Sequence, residues 1–400
     1  MLIPNQQRDL EKAGRAMSTF EFLKRCSRPA CERVRNQLEE WFRRYPDPDS
    51  EELKSRVRSG NEDHFRSAFW ELYLHEFLRR LGYSVEVHPE LETEGDKRPD
   101  FLARHPEDED LLVEAASTKK KTEEPSGPGQ QKDEVIDAIN ELSHPDFRLR
   151  LGESNLRSWP EEPPSRNRVQ AELRQWLETL DYQSLRAEFE EYGLEPMPEK
   201  EFDLRGWEVT FTAIPKPENQ RGSEGGRIIG LQNTGVQWVD TSTPIRKRVR
   251  DKAGRYGDVA RPYVVAVNIA DPMIDEIDIR DALFGDEVLQ IPMDDPPNAG
   301  TMTRKPNGAW IGPEGPRNTR VSAVLLGLDV GPWRIATAPL VLCHNPWAQR
   351  RVEGPLTALP EYNPTDDEYQ KEEGAHPRSM FGLSTDWPAA HESAYIGASR

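Results

Sequence analysis

The chain has 400 residues, 35% of them hydrophobic, and a formal net charge of −18 at pH 7. The length allows one large domain with insertions or two domains. The acidic balance argues against a protein that grips nucleic acid with its whole surface, so any basic groove must be local. Three cysteines do not make a disulfide framework. Because no run suits a signal peptide or a membrane span, we expect a cytoplasmic protein.

The N-terminal half is predicted to contain a helical segment followed by an α/β core. Residues 1–60 are highly charged with amphipathic pieces, and "EDHFRSAFWELYLHEFLRRLG" after them has the strongest helical periodicity in the chain. Three strand-like runs follow, "YSVEVHPEL", "PDFLARH" and "DLLVEAAS". A second amphipathic helix, "QQKDEVIDAINEL", and a short strand, "DFRLRLGE", come next. This order of elements predicts one core with a mixed sheet over residues 61–155.

Beyond this core the sequence pattern changes three times. Residues 156–205 begin with a proline-rich break and return to helical periodicity, which predicts a helical insertion. Residues 206–361 contain the strand "GWEVTFTAIP", the basic helix "TPIRKRVRDKAGRYG" and the buried strand "RPYVVAVNIA", which predict a C-terminal α/β extension. Acidic and small residues dominate residues 362–400, so this tail is predicted to be disordered.

Two carboxylates stand on neighbouring predicted strands. Strand side chains alternate, so Asp100 shares a face with Leu102, and Glu114 shares a face with Ala116. If the strands pair through the turn "HPEDED", both carboxylates meet on one side of the sheet. Two such groups repel unless a cation lies between them, and a hard divalent ion such as Mg²⁺ would serve. Glu71, at the border of the apolar stripe of the preceding helix, could reach the same ion.

The order of elements and the "PD…VEA" pattern resemble the PD-(D/E)XK nuclease superfamily, which has the restriction-endonuclease-like αβββαβ fold. The resemblance covers about residues 62–153. It implies a phosphodiesterase that depends on Mg²⁺ or Mn²⁺, with Asp100 and Glu114 as direct metal ligands and Glu71 assisting metal binding. The superfamily lysine falls on Ala116, so this strand lacks the usual cation.

The missing lysine has three candidate replacements near the site, of which Arg98 precedes Asp100 and is expected to point to the opposite face. Superfamily members relocate this residue, and here Lys132 begins the second predicted helix while Lys119–Lys121 directly follow the strand. We favour Lys132, because a helix holds a cation in place better than a loop does, and Lys119 is the second choice. Either would stabilise the phosphate in the transition state. The alternative is that both are solvated surface lysines.

The basic helix is the candidate nucleic-acid contact. Its cations include Arg246, Lys247, Arg250 and Lys252. Contact with phosphates requires such a local cluster, although a solvated helix face would look the same. The leading hypothesis is a metal-dependent endonuclease, with DNA favoured over RNA as substrate. The rival hypothesis is a catalytically inactive protein of the same fold that serves as a binding or interaction module, which the acidic charge and Ala116 favour.

Overall fold

A computed structural model describes residues 1–10, 17–91, 97–118, 139, 142–155, 166–203, 208–218, 221–222, 228–232, 242–257, 260–270, 274, 276–290, 301–364, 369–384 and 386–388. The chain forms two compact units. The first comprises Met1–Glu11, Ser18–Lys121 and Asp240–Ser399, and the second comprises Lys12–Met17, Thr122–Val239 and Arg400. Within the described ranges, no helix is long and apolar enough to cross a bilayer.

Helices and strands come in groups along the chain, beginning with four helices and then four strands. The helices are α1 (Thr19–Arg25), α2 (Pro29–Phe42), α3 (Asp49–Arg58), α4 (Glu62–Arg80), α5 (Arg166–Glu178), α6 (Tyr182–Tyr192), α7 (Ser242–Ala253), α8 (Glu276–Phe284) and α9 (Pro377–Phe381). The strands of the first unit's main sheet and of the second unit are β1 (Ser84–Val87), β2 (Phe101–Arg104), β3 (Leu111–Ser117), β4 (Phe147–Asn155), β5 (Glu199–Asp203), β6 (Glu208–Pro215), β7 (Ile229–Gln232) and β8 (Tyr263–Ile269). They continue with β9 (Glu287–Gln290), β10 (Thr301–Arg304), β11 (Ile311–Gly312), β12 (Gly315–Pro316), β13 (Ala323–Leu328), β14 (Leu340–His344), β15 (Glu361–Pro364) and β16 (Tyr369–Glu372), of which β9 to β12 form two small hairpins.

One sheet of mixed direction forms the centre of the first unit. Its strand order is β1–β2–β3–β8–β13–β14–β15–β16. Strands β1, β2 and β3 form an antiparallel meander, whereas β3, β8 and β13 run parallel. The remaining pairs alternate, with β13–β14 antiparallel, β14–β15 parallel and β15–β16 antiparallel. The chain is therefore a mixed α/β protein, as its sequence predicts.

Helices cover both faces of this sheet. Helix α4 begins at Asn61, whose side chain accepts a hydrogen bond from His64 N–H, and it packs on the face that carries Phe101 and Val113. The buried indole of Trp70 donates from Nε1 to the Ala266 carbonyl at 3.1 Å. A Cβ atom at Gly327 would lie 2.8 Å from the Trp70 ring, so glycine permits this close approach.

Helices α7 and α8 cover the opposite face. Ile245 and Val249 of α7 and Leu283 of α8 join a buried cluster with Leu112 and Val265 of the sheet. Burying each such aliphatic side chain stabilises the fold by about 1.5–3 kcal/mol. The segment predicted as a C-terminal extension (206–361) thus supplies strands to the middle of the sheet as well as one of its two helical layers.

The predicted core over residues 61–155 is wrong at its C-terminal end. Strand β4 belongs to the second unit, in a four-stranded sheet of order β5–β6–β4–β7. Phe147 and Leu149 are buried there among residues of α5, whose periodicity predicted the helical insertion over 156–205. The alternation of "DFRLRLGE" predicts a strand with one buried face, but it does not say which sheet supplies the partner. The amphipathic segment "QQKDEVIDAINEL" lies outside the described residues, except for Ile139 and Leu142.

The prediction of a disordered tail over residues 362–400 is also wrong for its first part. Strands β15 and β16 extend the main sheet, and α9 follows them. The α9 residue Phe381 is buried, with its ring centroid 5.1 Å from that of Trp41 and 5.0 Å from that of Tyr73. Burying one large aromatic side chain in an aromatic cluster can stabilise a short segment whose composition is otherwise polar. Residues 389–400 lie outside the described part of the chain.

Candidate functional site

Asp100 and Glu114 lie opposite each other on neighbouring strands. The register pairs Phe101 with Val113 and Leu102 with Leu112, and one further step places Asp100 across from Glu114. Residues that face each other across two antiparallel strands project from the same side of the sheet. The N–H of Ala115 also donates to Oδ2 of Asp100 at 2.6 Å, which fixes the aspartate against β3. The two carboxylates predicted to converge are therefore adjacent.

The Asp100 carboxyl group lies in a strongly perturbed electrostatic environment. Burial, followed by the charges of Glu114 and Glu71, raises its pKa to about 7. Lys252 and the Ala115 N–H act in the opposite direction but do not compensate. Carboxylates that crowd one site oppose each other's ionisation unless a cation balances them. Burial and two acidic neighbours therefore both favour the protonated form of Asp100.

Glu71 is close enough to affect Asp100, but it is held by another group. Both of its oxygens accept hydrogen bonds from the guanidinium of Arg56 on α3, with Nη1 at 2.6 Å from Oε1. The Ser67 hydroxyl is a further donor, 3.4 Å from Oε1. A bidentate arginine pair satisfies a buried carboxylate and fixes its plane. Glu71 therefore joins α4 to α3, and its role as a metal ligand does not follow from this geometry.

Glu114 accepts hydrogen bonds from a group of donors at the C-terminal end of α7. Lys252 Nζ lies 2.6 Å from Oε1, and Arg255 Nη1 lies 3.1 Å from the same oxygen. The Tyr256 hydroxyl is within hydrogen-bond distance of Oε2 and lies 3.0 Å from the Arg98 carbonyl oxygen. Glu114 is 1% exposed, so this charge requires such partners. The end of α7 therefore brings two cations to the carboxylate pair.

The position of Lys252 follows from how α7 packs. Ile245, Val249 and Ala253 recur every four residues and are buried against the sheet, so the preceding residue, Lys252, lies at the edge of the buried face. The Tyr263 hydroxyl of β8 donates to the Lys252 carbonyl at 3.0 Å and holds the last turn in place. Sequence patterning recognised this helix as basic and assigned Lys252 to nucleic-acid contact, but its relation to Glu114 was missed.

The two lysines proposed as replacements, Lys119 and Lys132, lie outside the described residues. Ala116, at the position where the sequence resemblance implies a lysine, is 8% exposed and packs in the apolar layer with Ile245 and Val249. The signal that could have identified Lys252 is the combination of a basic helix with the buried strand "RPYVVAVNIA" directly after it. A helix followed by a buried strand is the unit that adds a parallel strand beside β3.

The other cations of α7 divide into structural and exposed groups. Arg246 is buried, and its Nη2 donates to the Asp281 carbonyl at 2.9 Å and pairs with Asp286. Arg250 donates from Nη2 to the Gly308 carbonyl at 3.2 Å. Lys247 is exposed. Of the predicted nucleic-acid contacts, Arg246 and Arg250 therefore fasten α7 to the rest of the unit, whereas Lys247 is presented to solvent.

Asp100, Glu114 and Glu71 are the carboxylates that could bind a divalent cation at this site. Among the residues that the structure describes, no group of three or more His, Cys, Asp or Glu side chains is arranged to hold a metal ion. Mg²⁺ is, however, commonly bound by one or two carboxylates, with waters and substrate phosphates as its other ligands. Asp100 fits this requirement by donor type and by its position beside two other carboxylates. Glu114 fits by donor type and adjacency, and its two oxygens accept hydrogen bonds from Lys252, Arg255 and Tyr256. Glu71 does not, because Arg56 takes both of its oxygens.

Comparison of the chain with protein-family models, with curated proteins and with solved structures gives no match.

Proposed function

We propose that this protein is a divalent-metal-dependent phosphodiesterase acting on nucleic acid, with DNA favoured as substrate, and that Lys252 takes the role of the lysine missing at Ala116. The observation that carries the proposal is the convergence of Asp100, Glu114 and Lys252. Two adjacent carboxylates and a lysine are the groups that phosphodiester hydrolysis needs for holding a metal and for stabilising developing negative charge.

The order of elements supports the same proposal. Helix α4 and strands β1, β2 and β3 are followed, after the second unit, by helix α7 and by β8, which is parallel to β3. This order is similar to the αβββαβ core of restriction-endonuclease-like proteins, with the second unit as an insertion before the second core helix. The helix that would carry a relocated lysine is then α7, which places Lys252 where Lys132 was expected.

The site residues would divide the chemistry between them. Asp100 and Glu114 would hold the cation, and Mg²⁺ or Mn²⁺, when bound, lowers the pKa of a coordinated water and polarises a phosphodiester oxygen. Lys252, and Arg255 beside it, would neutralise charge that develops on the phosphate. Because both cations contact Glu114, they would also orient this buried carboxylate before substrate binds.

The test is cleavage by the purified full-length protein. Plasmid DNA, single-stranded DNA and RNA would each be incubated with Mg²⁺ or Mn²⁺, and products would be resolved on gels. We expect cleavage that Asp100→Ala abolishes and that Lys252→Ala slows by roughly 100-fold, the usual loss when one transition-state donor is removed. Lys371→Ala is the matched control, because Lys371 lies on β16 at the far edge of the same sheet and pairs with Glu276. Equal activity of all three variants would refute these site assignments.

A second candidate function is a binding module of the same fold without turnover. The observation that favours it is that Glu114 and Glu71 already have protein cations as partners, so the site is partly neutralised by Lys252, Arg255 and Arg56. This alternative predicts no cleavage of any nucleic acid under a broad screen of divalent metals. It also predicts that Asp100→Ala leaves partner binding unchanged.

A further inference from the structure

His88 continues the row of Asp100 and Glu114 across a third strand. The register of β1 and β2 ends at the pair Val87 and Phe101, and the His88 N–H then donates to the Asp100 carbonyl at 3.0 Å. Asp100 therefore has His88 on one side and Glu114 on the other. A histidine nitrogen and a carboxylate oxygen are donor types that bind divalent transition metals.

The orientation of the His88 ring is set by a carboxylate outside this row. Its Nδ1 lies 2.7 Å from Oδ1 of Asp49, the first residue of α3. A carboxylate can only accept a hydrogen bond, so Nδ1 donates to Asp49 and Nε2 is the ring nitrogen that faces Asp100. That Nε2 lies 4.0 Å from Oδ1 of Asp100. Two donors that share one ion, each about 2.1 Å from it, lie no more than about 4.2 Å apart.

The backbone at His88 is held in an uncommon conformation. Its φ is +44°, in the left-handed region that non-glycine residues rarely adopt. The hydrogen bond to the Asp100 carbonyl and the Asp49 contact maintain this conformation. Residues that persist in sparsely populated backbone regions cluster at ligand-binding sites, where the surrounding structure over-determines them. Here the conformation holds the imidazole beside Oδ1 of Asp100, whereas the other oxygen, Oδ2, accepts the Ala115 N–H.

We propose that His88 Nε2 and Asp100 Oδ1 are ligands of one divalent cation, with Asp49 as the outer carboxylate that orients the imidazole. This inference rests on the proposed metal-dependent function and specifies its metal. A nitrogen ligand shifts preference from Mg²⁺, which prefers oxygen, toward transition metals such as Mn²⁺ and Co²⁺. A carboxylate behind a metal-bound histidine is a recurrent arrangement that fixes the tautomer and the ring orientation. Water and substrate phosphate would supply the remaining positions.

Pulsed electron paramagnetic resonance of Mn²⁺ bound to the full-length protein tests this assignment directly. A ligating imidazole gives a ¹⁴N hyperfine coupling, and protein labelled with ¹⁵N-histidine should show the ¹⁵N coupling in its place. The measurement would be made with and without a DNA oligonucleotide, and it needs no turnover. His64→Asn, at an exposed position in the first turn of α4, should leave the coupling unchanged.

Two variants complete the test. His88→Asn removes the ring nitrogen while suiting the left-handed backbone, which asparagine tolerates, and it should abolish the coupling and weaken Mn²⁺ binding at least tenfold. Asp49→Asn should weaken Mn²⁺ binding by about 10- to 100-fold, the usual cost of losing an outer carboxylate. Mn²⁺ bound in an Asp100-dependent manner without nitrogen coupling would overturn the role of His88 and leave the proposed function standing. Failure of the wild type to bind Mn²⁺, with or without DNA, would overturn both.

Discussion

Lys252 and Glu114 are 138 residues apart in the chain, yet the lysine Nζ lies 2.6 Å from Oε1 of the glutamate. Their side chains are 15% and 2% exposed, so water screens the pair only weakly. The contact arises because α7 leads into β8, which runs parallel to β3 and beside it. The pKa of the Asp100 carboxyl group, which lies opposite Glu114, depends on its burial and on the charges of both Glu114 and Lys252.

Replacing Lys252 should destabilise the first unit as well as slow any cleavage. Removing one partner of a buried ion pair costs about 3–5 kcal/mol, and because Arg255 and Tyr256 still contact Glu114, we expect a loss of about 2 kcal/mol for Lys252→Ala. Urea unfolding followed by tryptophan fluorescence would measure the free energy of unfolding. The double variant Lys252→Met/Glu114→Gln should recover most of the loss. An unchanged free energy in the single variant would mean that the pair is not formed in solution.

Asp100→Asn should stabilise the protein at neutral pH and remove metal binding. The amide oxygen can still accept the Ala115 N–H, while the charge that Glu114 and Glu71 oppose is gone. Stability gained at the cost of function is the usual behaviour of a binding-site residue. Because the pKa of Asp100 is raised from 3.8 to about 7 in the folded state, the gain is on the order of 2–4 kcal/mol above pH 7.

The pH dependence of this gain has a definite sign. Below a pH of about 4, Asp100 is protonated in both folded and unfolded chains, and the wild type and Asp100→Asn should have similar stability. As the pH rises toward 7 the unfolded aspartate loses its proton first, so the wild type loses stability relative to the variant. Melting temperatures measured between about pH 5 and about pH 8 should therefore diverge as the pH rises. Parallel curves, or convergence at high pH, would contradict the raised pKa.

Introducing a lysine at position 116 of β3 should lower stability without raising activity. Ala116 is buried in the layer formed by Ile245 and Val249. Ala116→Lys overfills this layer, which costs about 1–3 kcal/mol, and brings a third cation to a carboxylate that already has Lys252 and Arg255. We expect a lower melting temperature and no increase in cleavage. Ser117→Lys, at the next and less buried position of β3, is the control for strand tolerance. Higher activity of Ala116→Lys would show that Lys252 replaces the missing lysine poorly.

Substitutions of two neighbouring cations of α7 should have different effects, one on stability and the other on nucleic-acid affinity. Arg246 is buried against Asp286 and the Asp281 carbonyl, so Arg246→Ala should lower the free energy of unfolding by about 3 kcal/mol. Lys247 is exposed, so Lys247→Ala should leave stability unchanged and weaken DNA binding. If Lys247 contacts one phosphate, the slope of log K against log salt should fall by about 0.9. Fluorescence anisotropy with a labelled duplex, measured over a series of salt concentrations, would show whether that loss occurs.

Local sequence patterns were sufficient to predict that Asp100 and Glu114 lie side by side. The helical period of α4 and the two-residue period of β1, β2 and β3 depend on neighbouring residues, and the short turn between β2 and β3 limits how they can pair. The adjacency of Asp100 and Glu114 follows from that alternation. The same pattern could not show that Arg56 would take Glu71, because the contact depends on how α3 packs against α4.

Tertiary structure alone decided which helix and strand complete the core. The alternation in β4 suits any sheet with one buried face, and the period of α7 suits any helix that packs on one side. Strand β4 pairs with β6, more than fifty residues later in the chain. Strand β8 and helix α7 contact β3 across more than a hundred residues, where Lys252 meets Glu114. The formation of helix α9 has the same cause, because Phe381 is buried against the rings of Trp41 and Tyr73. These features depend on packing between residues that are far apart in the sequence. Local composition does not indicate such contacts.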